Sequence, residues 1–161
     1  MELKDNFSHM DEDGNVYMVD IGKKRVTRRV AVASCKVSMK PETLQAIVHD
    51  RIRKGNVFTV AKVAAISAAK RTGELIPLCH SLAPEHVDVH FKPELHAGEL
   101  EIRTAVTVTA KTGAEMEALQ AAAQAALTVY DMCKAVDREM RITGLMLISK
   151  EGGKTGTWKR E

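Results

Sequence analysis

The spacing of the hydrophobic residues changes several times along this chain, and the order of those changes predicts its fold. Apolar and β-branched residues at every second position indicate strands with one buried face, whereas apolar residues three or four positions apart indicate helices. In chain order, the predicted elements are a strand at 25–39, helices at 41–55 and 57–72, strands at 85–92 and 99–110, a helix at 113–135 and a strand at about 140–149.

This order of elements predicts an α+β protein. One strand, two helices, two strands, a helix and a last strand fit an antiparallel sheet that carries its helices on one face, in a ferredoxin-like plait. The helix ends are predicted from local signals. Pro41 and Glu42 suit the first turn of a helix, Lys54 and Gly55 form a C-terminal cap of the same helix, and Gly73 supplies a left-handed cap to the next one.

Size and composition indicate a single folded domain. The chain has 161 residues, of which 45% are hydrophobic and 28% charged, and these are ordinary values for a globular protein. We divide it into a polar, partly ordered leader at 1–24 and one domain at 25–161. Cys35, Cys79 and Cys133 lie far apart, which predicts a reducing, cytoplasmic compartment and no metal site. No apolar run approaches the roughly 18 residues of a membrane span, so no membrane partner is expected.

The overall charge argues against a dedicated nucleic-acid-binding protein. Lys and Arg total 24 against 21 for Asp and Glu, a net charge of +3, and aromatic residues make up only 4% of the chain. Few side chains are therefore present on which bases could stack. A basic run at 23–29 has two open interpretations, a solvated strand edge or a phosphate-binding segment.

A polar stripe follows one face of the long helix predicted at 113–135. It contains no ionised residue between Glu117 and Asp131, and Lys134 lies one turn beyond. A solvated face is one interpretation and a proton-transfer pair of Asp131 and Lys134 is the other. In such a pair, partial burial raises the carboxyl pKa and lowers the lysine pKa, while mutual attraction opposes both shifts. The alanines between 118 and 126 could pack within one subunit or against a neighbour.

Two further motifs each have an unremarkable interpretation. Cys79 and His80 adjoin in a predicted loop. One interpretation is a buried thiol beside a hydrogen-bonded imidazole, and the others are a metal ligand or a nucleophile. Gly-Gly-Lys-Thr-Gly at 152–156 is not a phosphate-binding P-loop, because Ile148 occupies the position of its first glycine and too few residues remain for the helix that must follow. Contact of this segment with an anion stays open.

Several segments together resemble the cyclic pyranopterin monophosphate synthase family, the second enzyme of molybdenum cofactor biosynthesis. The two most specific are Leu-Ile-Pro-Leu-Cys-His at 75–80 and Tyr-Asp-Met-Cys-Lys-Ala at 130–135. Ser81 departs from the proline that usually follows the histidine. The remaining similar segments lie at 8–12, 18–20, 54–57, 68–72, 109–119 and 152–156.

The resemblance implies an enzyme of the phosphorus-oxygen lyase class. It implies conversion of 3′,8-cyclo-7,8-dihydroguanosine 5′-triphosphate to cyclic pyranopterin monophosphate with release of diphosphate. It also implies a ferredoxin-like protomer in a homohexamer of three dimers, with each active site at a dimer interface. No resident cofactor is expected, although Mg²⁺ is compatible with the reaction.

The resemblance also assigns site residues. Asp131, Lys54 and Lys134 match the catalytic positions, with Asp131 as acid or base. The other expected substrate-binding residues are Leu78, Cys79, His80, Glu115, Met116 and Glu117. Arg29 and Lys70 are expected on chemical grounds, together with His80, because cations stabilise the charge of the leaving diphosphate.

Two other function classes are compatible with the predicted fold. Ferredoxin-like plaits often bind RNA or nucleotides, but here Val30, Val32, Val106 and Val108 stand on strands where an RNA-binding plait displays aromatic side chains. A purely structural oligomer is the other alternative. It leaves Asp131 and its neighbouring lysine on an alanine-rich helix without an explanation.

Overall fold

The computed structural model describes residues 10, 13–154 and 156–161, and this part of the chain forms four helices and five strands. In chain order they are β1 (Thr27–Ser38), α1 (Pro41–Val48), α2 (Val57–Lys70), α3 (Thr72–Leu75), β2 (His86–Glu94), β3 (Glu99–Ala110), α4 (Glu115–Cys133), β4 (Arg141–Glu151) and β5 (Trp158–Lys159). None of the helices in the described residues is long and apolar enough to cross a membrane.

The strands form one antiparallel sheet in the order β2-β3-β1-β4-β5. β1 lies in the middle and pairs with β3 along its whole length, from Thr27 opposite Ala110 to Ser38 opposite Glu99. Helices α2 and α4 pack on each other, and α4 covers β1, β3 and β4. The predicted α+β fold is confirmed, and the order of the first four strands is that of a ferredoxin-like plait.

The alanine-rich face of α4 packs against the sheet of its own chain. Five alanines on this face are fully buried: Ala118, Ala121, Ala122, Ala125 and Ala126. Such small side chains let the helix backbone approach the strands closely. Cys35 Sγ donates a hydrogen bond to the Ala122 carbonyl (3.3 Å), and Thr104 Oγ1 donates to the Ala118 carbonyl (2.8 Å). Of the two packing alternatives for the alanines, the structure has the one within a subunit.

The first helix is shorter than predicted and ends differently. α1 stops at Val48, because Asp50 adopts a left-handed conformation with φ of 53°. The Arg51 amide then bonds back to the Ala46 carbonyl (2.8 Å), as in a Schellman motif. Asp tolerates this conformation better than most residues, and the reversal carries Ile52 into the core. The predicted cap of this helix by Lys54 and Gly55 is therefore wrong.

Gly73 is also explained differently from the prediction. It lies inside α3 rather than after a helix and does not have a positive φ, so the predicted left-handed cap is wrong. A Cβ atom at this position would lie 2.8 Å from Ser81 Cα and 2.6 Å from Ser81 Oγ. Glycine is required here because the segment that follows Cys79 and His80 crosses α3 at close range.

The ends of several helices and strands differ by a few residues from the predicted boundaries. β2 continues through Pro93 to Glu94, α4 is two residues shorter at each end, and the short strand β5 was not predicted. In the leader, Met10 and Val16 form an isolated β-bridge, and Lys111 Nζ donates to the Gly22 carbonyl (2.7 Å). The similar segment at 8–12 lies outside the described residues except for Met10. The division into leader and domain stays a prediction.

Candidate active site

The predicted site residues lie at the two ends of α4. Asp131 and Lys134 are at its C-terminal end together with Lys54, whereas Glu115, Met116 and Glu117 are in its first turn. A helix rises 1.5 Å per residue, so Glu117 and Asp131 are separated by about 21 Å along the axis. Within one chain the structure therefore places these six residues in two groups, one at each end of α4.

At the C-terminal end, one carboxylate is held between two lysines. Lys134 Nζ lies 2.7 Å from Asp131 Oδ1, and Lys54 Nζ lies 3.0 Å from Asp131 Oδ2. All three side chains are about half exposed in the single chain (54%, 47% and 58% for Lys134, Lys54 and Asp131). The predicted pairing of Asp131 and Lys134 is confirmed as a contact, and both amines face accessible space.

Lys54 has a second contact that the sequence analysis missed. Its ammonium donates a hydrogen bond to the backbone carbonyl of Asp131 (2.8 Å) as well as to the side chain. Carbonyls in the last turn of a helix have no partner within the helix, and cations are favoured there. Lys54 therefore caps α4, not the helix that precedes it in the chain, and this contact fixes the backbone as well as the carboxylate.

The attraction between Asp131 and its two lysines determines the protonation states of these side chains. The pKa of Asp131 lies below its ordinary value because of its hydrogen bond to Lys134 and, next, that to Lys54. The pKa of Lys134 is raised by the same bond to Asp131. Of the two opposing influences expected from the sequence, attraction outweighs burial in the single chain. Asp131 is thus an ionised base at neutral pH, and Lys134 is an ammonium donor.

At the N-terminal end the acid is buried. Glu117 is only 1% exposed, and its Oε2 accepts no hydrogen bond from the residues that the structure describes. Cys79 Sγ lies 4.0 Å from Glu117 Oε1. Burial raises the pKa of Glu117 to about 7, and the charge of Glu115 adds to this rise. A carboxyl group with this pKa is able to hold or release a proton near neutral pH.

The Cys79–His80 loop forms a cavity with the leader and the start of α4. This cavity of about 450 Å³ is lined by Leu78, Cys79, His80 and Met116, together with Val19 and Ile21 of the leader. Burial and the two neighbouring glutamates raise the pKa of Cys79, so its thiol is protonated and poorly suited to act as a nucleophile. The predicted loop residues do come together, and the leader residues were missed.

A larger basic groove of about 800 Å³ adjoins this cavity. Among the described residues that line it, Glu115 is the only acid, and its carboxylate pairs with Lys150 (3.0 Å). The cations that line the groove are Lys23, Lys24, Arg25, Arg29, Lys111, Lys150 and Lys154. Such a concentration of positive charge is suited to a polyphosphate.

Glycines from the segment at 152–156 shape one wall of the groove. A Cβ atom at Gly153 would lie 2.3 Å from Arg29 Nη1, and one at Gly152 would lie 2.3 Å from the Arg28 carbonyl. The Arg29 guanidinium is held in turn by the Ala110 and Lys111 carbonyls, each at 3.2 Å. Gly153 and Lys154 therefore belong to the cationic wall, and contact of this segment with an anion stays a prediction.

Two expectations stay open at this point. Lys70 lies in the last turn of α2, is exposed and lines neither the cavity nor the groove, so its role is still a prediction. Among the described residues no three His, Cys, Asp or Glu side chains are placed to share a metal ion.

The fold and the site define an α+β protein with a cationic groove and two separate acid-containing groups on one helix. The chain belongs to the MoaC family, because the model of that family matches residues 18–153. A similar protein from Chloroflexus aggregans is 54% identical over 157 residues, which cover 98% of this chain and 95% of that protein.

Two other relatives are similar to this chain to nearly the same extent. A protein from Pelotomaculum thermopropionicum is 53% identical over 96% of this chain and 91% of its own length. One from Thermomicrobium roseum is 54% identical over 96% and 93%, respectively. All three relatives are named cyclic pyranopterin monophosphate synthase.

Proposed function

We propose that this chain is a cyclic pyranopterin monophosphate synthase of molybdenum cofactor biosynthesis. It converts 3′,8-cyclo-7,8-dihydroguanosine 5′-triphosphate to cyclic pyranopterin monophosphate and releases diphosphate, as a phosphorus-oxygen lyase. The observation that carries the proposal is the ionised Asp131 held between Lys54 and Lys134, at positions that match the catalytic residues of the family. The names of the relatives support the same reaction.

The Asp131 group supplies the proton transfers. Opening and closing rings at carbons bonded to nitrogen requires protons to be removed and delivered at fixed places. The pKa of Asp131 is lowered, which keeps its carboxylate free to accept a proton. The pKa of Lys134 is raised, which keeps its amine protonated as the ammonium that holds the proton to be delivered. The Asp131 carboxylate and the Lys134 ammonium lie 2.7 Å apart, so a proton taken up by the carboxylate is matched by one released from the ammonium.

The basic groove holds the triphosphate. In the phosphate step a substrate hydroxyl oxygen attacks the α-phosphorus and its proton passes to a base. The bond from that phosphorus to the bridging oxygen of the β-phosphate then breaks, and its electron pair leaves on diphosphate. Arg29, Lys111 and Lys150 line the groove and stabilise this developing charge. Mg²⁺ bound by the phosphates themselves is compatible with this arrangement.

The two groups on α4 are brought together by a second copy of the chain. They lie about 21 Å apart along one helix, too far apart for one fused ring system to contact both. A two-fold axis that places two copies of α4 in opposite directions sets the Asp131 end of one protomer beside the His80 end of its partner. We place this dimer within a hexamer of three dimers that acts in the cytoplasm, as the family resemblance implies.

The test is turnover of authentic substrate. The purified protein is incubated with the cyclic dihydroguanosine triphosphate, and both diphosphate and the pyranopterin product are measured. We expect product from the parent and a loss of at least about 100-fold in Asp131→Asn. Glu94→Gln is the matched control, since Glu94 is also an exposed acid paired with a lysine (3.1 Å from Lys92). No product from well-folded parent protein would overturn the proposal.

A nucleotide-binding protein without chemistry is the alternative, and the basic groove is the observation that favours it. Such a protein would bind the substrate triphosphate with strong salt dependence but release no diphosphate. Equilibrium binding measured beside turnover distinguishes the two, because the Asp131→Asn variant retains the whole groove. Binding without turnover in the parent would favour this alternative.

A further inference from the structure

A buried carboxylate lies just beyond α4, outside the residues considered so far. Asp137 is 2% exposed. Its Oδ2 accepts hydrogen bonds from the Lys40 amide (2.8 Å) and the Thr43 hydroxyl (3.2 Å), and its Oδ1 accepts one from the Glu139 amide (3.1 Å). Burial raises the pKa of Asp137, but these donors outweigh burial and bring it below its ordinary value. The group is therefore a buried anion at neutral pH.

This carboxylate joins the two chain segments that carry the Asp131 group. On one side, the Asp137 and Val136 amides both bond to the Cys133 carbonyl (3.1 and 2.9 Å), which ties Asp137 to the last residue of α4. On the other side, its partners Lys40 and Thr43 form the start of α1. The chain then runs through α1 and the turn after it to Lys54.

The segment from Lys40 to Lys54 is thus attached to the end of α4 at both of its own ends. Asp137 holds its start, and the contact of Lys54 with Asp131 holds its finish. Between the attachments lies a groove of about 780 Å³, bounded by Ala46 and Ile52 on one side and by Met132 and Val136 on the other. Side-chain packing does not fill this space, so the two attachments act together with the buried side chains of Leu44, Ile47 and Ile52 to set the distance between the two segments.

We infer that Asp137 is a positioning residue, which holds the α1 segment at the spacing that places the Lys54 ammonium on Asp131. Lys134 needs no such help, because it pairs with Asp131 three residues earlier on the same helix. The inference rests on the proposed function for its effect on turnover. Its effect on the Lys54 contact is independent of that function.

The test compares the chemical reactivity of the two lysines. Each protein is acetylated with a trace amount of reagent, and the labelling rates of Lys54 and Lys134 are measured by mass spectrometry relative to Lys159. In Asp137→Asn the charge is lost and an amide hydrogen faces the Glu139 amide. We expect Lys54 to label about two- to fivefold faster, as for release of a surface ion pair, while Lys134 keeps its parental rate.

Turnover provides the second measurement. We expect kcat to fall on the order of tenfold with KM nearly unchanged, since small misplacements of a catalytic group cost rate. Thr43→Val removes one of the three hydrogen bonds and should move both measurements less, in the same direction. Val89→Ala is the matched control, because Val89 is buried in β2 at the far edge of the sheet. It destabilises the fold without altering either lysine.

Two outcomes would overturn the inference. One is a Lys54 labelling rate in Asp137→Asn equal to the parental rate, and the other is an equal rise for Lys54 and Lys134, which would indicate general loosening. If Asp137→Asn does not fold, Thr43→Val decides between the same outcomes. A parent without synthase activity, together with a selective rise at Lys54, would refute the proposed function and leave the positioning role of Asp137 standing.

Discussion

The two ends of α4 each carry an acid, and the two acids are in opposite states. Glu117 in the first turn is buried, and its pKa is raised to about 7. Asp131 in the last turn is exposed, and its pKa is lowered by two lysines. One helix therefore presents a carboxylic acid near its start and a carboxylate near its end. Their surroundings, rather than their chemistry, make the difference.

The helix dipole alone would produce the reverse arrangement. A negative charge is favoured near a helix N-terminus and disfavoured near a C-terminus, by typically 0.3–1 kcal/mol. At Glu117, burial raises the pKa although the helix dipole at this end favours the charged carboxylate. At Asp131, the hydrogen bonds from Lys134 and Lys54 override the unfavourable end. Side-chain neighbours and burial thus outweigh the dipole at both ends of α4.

The largest expected effect is recovery of activity by mixing two inactive variants, one from each end. Asp131→Ala and His80→Ala change the C-terminal and N-terminal groups, respectively. If each site combines one end from each protomer, half of randomly mixed dimers are heterodimers, and each has one intact site of two. Turnover should recover to about a quarter of the parental value.

The control mixes two variants of the same end. Asp131→Ala and Lys54→Ala both alter the C-terminal group, since the two side chains are in contact. Every site of a mixed dimer then contains one of the two changes, so no activity should return. Failure of the Asp131→Ala and His80→Ala pair to recover in confirmed mixed assemblies would show that each site belongs to one protomer.

The next effect concerns stability at the buried end. The folded-state pKa of Glu117, about 7, lies above its ordinary value of 4.5. Its contribution to stability is therefore complete below pH 4.5 and is lost as the pH rises through about 7. Urea unfolding should show the free energy of unfolding of the parent falling by on the order of 3 kcal/mol between about pH 5 and pH 8. In Glu117→Gln this part of the pH dependence should be absent, and identical profiles for the two proteins would contradict the assignment.

A smaller effect is expected for the acid at the exposed end. Lys134→Met should raise the pKa of Asp131 toward its ordinary value, because the hydrogen bond to Lys134 is the largest cause of its lowering. Lys54→Met should raise it less. Carboxyl ¹³C titration of aspartate-labelled protein measures both shifts, with Asp131→Asn used to assign the signal. The reverse order of the two shifts would make Lys54 the dominant partner.

The smallest effect is on the melting temperature. Asp131→Asn changes an exposed group, and exposed ion pairs contribute little to stability, so we expect a Tm within about 2 °C of the parent. Glu117→Ala empties a buried position and should lower the Tm by several times that amount. Calorimetry of both variants at about pH 7 makes the comparison. A large loss in Asp131→Asn would show that the C-terminal group is structural.

Local patterns predicted the elements well where one face is buried along the whole element. β3 was predicted at its observed bounds, since valine, isoleucine and leucine alternate with polar residues throughout it. The end of α1 could not be predicted in this way. At Asp50 the turn places a residue other than glycine in the left-handed region. The burial of Ile52 in a core formed by distant segments stabilises this turn.

The same distinction between local and distant contacts applies to the site residues. The helical spacing of Asp131 and Lys134 places them in contact whatever the rest of the chain does. Lys54 lies 77 residues away in the chain, and only the resemblance to a family nominated it. The cations Lys111 and Lys150 were not proposed, because each lies at or near a strand end and only the order of strands brings them beside Arg29.

The sequence by itself determined the sheet, the helices and the local pair on α4, because hydrophobic periodicity and helical spacing act over a few residues. It treated Glu117 and Asp131 alike, as the two ends of one polar stripe. Only the tertiary structure decided that the first is buried against Cys79 and that the second lies in the open between two lysines. The physical reason is that a pKa depends on the dielectric surroundings and charges within a few ångströms, and Cys79 beside Glu117 and Lys54 beside Asp131 both come from distant parts of the chain.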